Sequence, residues 1–171
     1  MIYFGLDQSF TSSGYCLLNK DNIVDFGVIK TSQEDGDNHD RVNIIIKRLE
    51  EIYNSHEDVK LSMEGLSFGN NGNAIRNLAG LQYVIINKFK YEMKVGDITI
   101  ISPKTVKKFA TGSGGSAKAK VTKAMMAAAL PEDVRTLFKS KYKVSHGFYD
   151  IVDAYWIAKY NQENIVEPVW N

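Results

Sequence analysis

Ile2-Tyr3-Phe4-Gly5-Leu6-Asp7 is a continuous apolar run of β-favouring residues that ends on a single carboxylate. Gln8 to Ser13 follows as a polar turn, and Gly14-Tyr15-Cys16-Leu17-Leu18 resumes the apolar pattern. The reading is a buried strand, a tight connection and a second, antiparallel strand. An acid at the end of a core strand is costly to desolvate unless something neutralises it. Asp7 either caps the turn through the amides of Ser9 or Phe10, or it is a metal ligand on which other acids converge. From this stretch alone the cap is favoured; three later acids reverse that.

Ile23 to Lys30 supplies a third strand, and the polar, acidic residues 31–40 read as a loop. Val42, Ile45, Ile46, Leu49, Ile52 and Tyr53 recur at helical spacing, which predicts a helix from Arg41 to Tyr53. Val59 to Glu64 alternates apolar and polar residues and ends on a second carboxylate. Glycine- and asparagine-rich residues 65–72 form a flexible connection to a long helix expected over Asn73 to Met93. A fifth strand is expected at Asp97 to Ile101, then a helix over Lys104 to Ala110 with Ser102 as N-cap and Pro103 in its first turn. After a glycine loop at Thr111 to Ser116, Ala- and Met-rich Lys118 to Leu130 is helical by propensity. Pro131 to Val144 reads as a short helix with a loop, and His146 to Tyr160 as a last, buried helix.

A strand that returns after a crossover helix lies parallel to its neighbour, with a right-handed connection. The expected architecture is α/β: a three-strand antiparallel meander plus two parallel strands in one mixed five-stranded sheet, with helices on both faces. The Asp7 strand is near the centre and the Glu64 strand beside it. At 171 residues the chain is long enough for one core, expected as one domain over residues 1–160 with a tail at 161–171. No apolar run nears the ~20 residues that span a bilayer, and no basic leader with a cleavage site is visible. The one cysteine, Cys16, excludes an internal disulfide, reads as a small buried hydrophobe, and fits a reducing cytoplasm.

The net charge of +1 conceals a segregation. Between Ile98 and Pro131 stand Lys104, Lys107, Lys108, Lys118, Lys120 and Lys123 with no acid, so the remainder is net acidic. A basic segment beside an acid-bearing remainder suits a polyanion held against a cation site. The individual lysines read equally as a solvated helix face; the absence of any compensating acid favours DNA.

Asp150 and Asp153 are three apart on the last expected helix, on one face, among Ile151, Val152, Ala154, Tyr155, Trp156 and Ile157. Two like charges in so apolar a helix need cations, and the helix has no basic residue before Lys159. Together with Asp7 and Glu64 they make a set of four carboxylates suited to hard divalent ions such as Mg²⁺. Four are enough for two ions ~4 Å apart, which activate water and take charge from a departing 3′ oxygen in phosphodiester hydrolysis. Tyr155 and Trp156 read as core.

Gly5-Leu6-Asp7 with Ser12-Ser13-Gly14-Tyr15, then Ser62-Met63-Glu64, Lys104 to Lys120 around the glycine loop, and Asp150-Ile151-Val152-Asp153-Ala154 occur in an order that resembles the RuvC-type Holliday junction resolvases of the ribonuclease H-like superfamily, of the small phage-encoded kind. The resemblance spans residues 1 to about 160. It implies Asp7, Glu64, Asp150 and Asp153 as ligands of Mg²⁺ or Mn²⁺, two ions per subunit. It also implies a homodimer that cuts two symmetric strands of a four-way junction, in the cytoplasm of a bacterial host if the gene is a phage's. Lys107, Lys118 and Lys120 match the family's basic residues near the loop. Where the family often has an aromatic three residues after the strand glutamate, Ser67 stands here and Phe68 follows. Phe68 either stacks on an unpaired base or folds into the core.

His146, four residues before Asp150, is a secondary candidate for orienting water or shuttling a proton, against a backbone-bonded histidine at a helix start. His39 and His56 lie in polar surroundings and carry no expectation. The glycine loop has the wrong spacing for a phosphate-binding P-loop, so no nucleotide cofactor is expected. Asn77, Ala79, Gly80 and Tyr83 on the long helix offer a surface for close packing in a dimer. Rival readings are a nuclease of the same fold acting on flaps, other branched DNA or RNA–DNA hybrids, and a non-catalytic DNA-binding module with structural acids.

Overall fold

In a computed structural model of the protein, residues 1–66, 72–96, 98–116 and 119–164 are described. Strands β1 (Ile2–Asp7), β2 (Ser12–Asn19) and β3 (Asn22–Lys30) form the antiparallel meander. Helix α1 (Asn38–Asn54) crosses to β4 (Val59–Glu64), which runs parallel to β1. Helix α2 (Gly72–Ile86), prolonged by a π-helical turn over Asn87–Glu92, leads to β5 (Thr99–Ile101), parallel to β4. The sheet order is β3-β2-β1-β4-β5, the expected mixed sheet with β1 in its middle. Helices α3 (Pro103–Thr111), α4 (Lys123–Ala128), α5 (Glu132–Lys141) and α6 (Phe148–Glu163) complete the chain.

The two-residue period of a strand sorts side chains between two cores. Phe4 and Leu6 of β1 and Leu61 and Met63 of β4 pack with α1 and α2 residues such as Ile45, Leu49, Leu81 and Ile85. Cys16, Leu18 and Phe26 face α6 and the helices around it. Gly5 lies on the α6 side, where a Cβ would collide with the Ala154 carbonyl and the Ala158 amide of α6. Two residues on, Asp7 leaves β1 on that same side, and by the same count so does Glu64 after Ser62. Tyr155 and Trp156 are core, as expected, and the Trp156 indole donates to the Met126 carbonyl at 3.1 Å.

Several boundaries differ from the sequence reading. Helix α1 starts at Asn38, inside the expected loop, because Asp37 accepts from the amides of His39 and Asp40 while the Asp40 carboxylate accepts from the Asp37 amide. Helix α4 begins at Lys123 rather than Lys118, where the Thr122 hydroxyl accepts from the Met125 amide. Helix α6 begins at Phe148 because Gly147 has φ +102°, leaving His146 in a preceding 3₁₀ turn; it continues to Glu163, burying Asn161. The expectations for Ser67, Phe68, Asp97, Lys118 and the end of the tail, residues 165–171, lie outside the described residues. No described helix is long and apolar enough to cross a membrane.

Candidate active site

Asp7 ends β1, Glu64 ends β4, and the register Leu6↔Met63 sets the two acids at adjacent strand ends. Helix α6 crosses this face so closely that a Cβ on Gly14 of β2 would collide with the Asp150 carbonyl. That approach brings Asp150 and Asp153 of the first turns of α6 to the strand ends. The four acids read from the sequence therefore belong to one cluster.

Its electrostatics record the crowding. Burial, then the charges of Asp153 and Glu64, hold the Asp7 carboxyl well above its ordinary range. Glu64 is pushed up to about 7 by burial and by Asp153, against the pull of Lys107 and Lys123. Asp153 is raised by burial, although Lys123 opposes this. Acids so destabilised as anions lack enough positive charge around them.

Part of that charge comes from Lys123. Its ammonium lies 3.3 Å from Asp150 Oδ1 and 3.1 Å from Asp153 Oδ2. Burial works to lower its pKa, but Asp153 and Asp7 outweigh it and leave the ammonium raised. The second oxygen of Asp150 accepts from the Ser12 hydroxyl at 2.5 Å. The amide of Ser9 is taken by Ser13 Oγ at 2.9 Å, so Asp7 is not that amide's cap.

The residues fit a divalent ion in three respects. The donor set is all carboxylate, which hard cations select. A lysine ammonium stands between two of the acids as a stand-in cation. Beside Asp7, the buried Gln8 Oε1 has no hydrogen-bond partner among the described residues, while the Gln8 amide donates to the Glu64 carbonyl at 2.6 Å. As the side chains stand, no three His, Cys, Asp or Glu among the described residues converge to hold an ion.

Two openings flank the cluster. A cavity of about 530 Å³ reaches from Asp7, Ser12, Lys123 and Asp150 across to Asn38, Arg41 and Asn77. A second, of about 680 Å³, is lined by Ser102, Lys104, Lys107, Lys120 and the Gly114–Gly115 turn. Lys107 links this second cavity to the acids, since its charge is felt at both Glu64 and Asp153. Lys108 is exposed outside that lining. His146 is exposed, its Nδ1 paired with Ser145 Oγ at 2.7 Å, and it lines neither cavity.

Sequence reasoning missed four supporting residues: Ser12, Gln8, Gln82 and Arg41. Gln82, on the buried face of α2, also donates to the Glu64 carbonyl, at 3.1 Å. Buried Arg41 binds the Phe10 carbonyl at 2.8 Å and Thr31 Oγ1 at 3.0 Å, clamping the turn after Asp7. A polar Gln82 between the apolar positions 81 and 85 was a visible signal, and Ser12 stood in the motif stretch that carries the resemblance; Arg41 offered none.

A family model described as crossover junction endodeoxyribonuclease RuvC matches residues 3–138. That stretch contains Asp7, Glu64 and the basic segment but stops short of α6. Curated proteins give no match. Among solved structures, Thermus thermophilus RuvC in complex with a Holliday junction substrate superposes with a TM-score of 0.72 at 19% identity, covering 99% of both chains. A second T. thermophilus RuvC structure gives 0.64 at 21%, covering 99% of this chain and 100% of that one. The yeast mitochondrial Holliday junction resolvase gives 0.60 at 16%, covering 91% and 75%. At these identities the superpositions establish the ribonuclease H-like fold.

Proposed function

The chain belongs to the crossover junction endodeoxyribonuclease RuvC family, and from that premise we propose that it resolves four-way DNA junctions by paired phosphodiester hydrolysis. The observation that carries this reading is the cluster of Asp7, Glu64, Asp150 and Asp153, in which Asp7, Glu64 and Asp153 are under-neutralised, with the lysine-lined cavity beside it.

In this reading the four acids hold magnesium or manganese, two ions per subunit, which supply an activated water and neutralise the departing 3′ oxygen. Ser12 fixes one oxygen of Asp150, and Gln8 and Gln82 fix the backbone at Glu64, so the acids are held before substrate arrives. Lys104, Lys107 and Lys120 along the larger cavity hold the phosphates on either side of the cut, with Lys108 and Lys118 extending the basic track. Phe68 follows Glu64 by four residues and is placed by the same reading at the branch point, to stack on an unpaired base. His146 has no part in it.

Two symmetric cuts need two acid clusters, and each chain brings one, so the active species is a homodimer. Support comes from the outer face of α2 and its π-helical extension, where Tyr83 and Tyr91 are 72% and 67% exposed.

Cleavage of a mobile four-way junction with magnesium, beside flap, hybrid and linear duplexes, tests the proposal. Paired symmetric nicks in the junction are expected. Asp7→Asn is expected to abolish them while junction binding persists, because the lysines, not Asp7, grip the phosphates. Equal cutting of all branched forms would refute selectivity for the four-way junction, and retained cutting by a folded Asp7→Asn would refute the site.

A further inference from the structure

We propose that Lys123 is a built-in counter-ion: in the ion-free protein its ammonium occupies the divalent-ion position between Asp150 and Asp153, and ion binding drives it out towards the substrate phosphates. The inference rests on the reading of those acids as ion ligands and adds a step to it.

Lys123 Nζ contacts carboxylate oxygens of two different acids, at 3.3 Å and 3.1 Å, and both acids come from the same face of α6. Such bridging of two ligands is what a cation at that point does. The two carboxylates are little exposed, at 22% and 13%, whereas the lysine side chain is 54% exposed. The ammonium thus enters from the solvent side, through the wall of the cavity it shares with Asp7 and Asp150. A flexible four-carbon stem can withdraw by that route without moving the backbone, and the Thr122 cap keeps its root in place at the start of α4.

Charge decides the exchange. One ammonium brings a single positive charge to four acids; one divalent ion brings two, and binds carboxylate oxygen directly. Lys123 therefore holds the cluster together without competing to the end. Its own segment, Ile98 to Pro131, contains no acid, so once the ions neutralise the cluster the released ammonium is left for phosphate.

The test is Mn²⁺ binding to the full chain, stripped with chelator, by isothermal titration calorimetry. Lys123→Met is expected to bind Mn²⁺ about tenfold tighter than wild type, because the ion no longer displaces an ion pair. Lys123→Arg, which keeps the charge, is expected to stay near wild type. In chelator Lys123→Met should melt below wild type, and Mn²⁺ should raise its melting temperature by the larger amount. A variant that folds only with Mn²⁺ counts as support; if Lys123→Met folds under neither condition, Lys123→Gln takes its place. Unchanged Mn²⁺ affinity in the folded neutral variant overturns the proposal while leaving the ligand set intact. If neither wild type nor variant binds Mn²⁺, or Asp153→Asn binds it as wild type does, the reading of the acids as ligands fails, and the proposal with it.

Discussion

Glu64 is the residue whose chemistry can be followed most directly. Burial and the Asp153 charge lift its carboxyl from 4.5 to about 7. Between those values the folded chain keeps a proton that the unfolded chain has lost, so the stability of the ion-free protein falls as pH rises through that window. Asp7 and Asp153, raised for the same reason, act in the same direction. If these acids hold divalent ions as proposed, ion binding runs the opposite way, because ligands must be deprotonated before they coordinate. Melting in chelator from pH 5 to pH 8 is expected to show a falling midpoint, and Mg²⁺ to restore most at the upper end. Glu64→Gln, which cannot ionise, should flatten part of the fall; a slope unchanged in that variant would show that Glu64 is not the group titrating. All four acids were legible in the sequence because a carboxylate inside an apolar strand or helix is conspicuous. The roles of Ser12 and Arg41 were not, because a serine at a strand start and an arginine near a helix start are what any surface provides. Only the tertiary contacts give them a task.

At the scale of elements, the site depends on how closely α6 lies on the sheet. Gly5 and Gly14 permit that approach: a Cβ at either would collide with α6 backbone, at Ala154 and Ala158 or at Asp150. Backbone in a buried helix cannot step aside as a side chain can, so Gly14→Ala is expected to cost about 3 kcal/mol. It should also displace Asp150 from Ser12, reducing junction cleavage even under conditions where the variant is fully folded. Denaturant melts alongside cleavage rates check both parts, and a Gly14→Ala protein of wild-type stability would show that α6 does not sit this close. Element bounds were legible at α3, where hydrophobic period and a recognised cap agreed and the helix starts at Pro103 behind Ser102. They were misjudged where propensity spoke alone. Residues 118–130 are helix formers, but the helix waits for the Thr122 cap. Leu81, Ile85 and Phe89 recur every four residues, slightly longer than an α-turn, and beyond Ile86 the chain widens into a π-helical turn that closes with the Met93 amide on the Lys88 carbonyl. A spacing of four looked like uninterrupted helix.

For the whole molecule, the proposed homodimer follows from the symmetry of the reaction. A junction resolved by two cuts in equivalent strands presents two phosphates related by a twofold axis, and an isologous pair of chains presents two acid clusters in the same relation. The surface we propose for that pairing is the outer side of α2 and its π-helical turn. Tyr83, Val84 and Tyr91 are exposed there, and Tyr83, Ile86, Asn87, Lys90 and Tyr91 line a cavity of about 440 Å³. Gly80, one turn before Val84, has nothing within 4 Å of where a Cβ would stand, which leaves room for a partner helix to come close. This face is remote in sequence from the acids yet joined to them, because Gln82, beside Tyr83, holds the Glu64 carbonyl. Sedimentation equilibrium at micromolar concentration is therefore expected to give a dimer. Replacing Tyr83 and Tyr91 together with Glu places charges at the centre of the contact and should weaken it about a hundredfold or more. The resulting monomers should still nick junctions, since each keeps its acid cluster, but one strand at a time and without the paired second cut. A wild-type chain that stays monomeric on the bound junction, or a double variant that still makes coupled cuts, would remove α2 from this role.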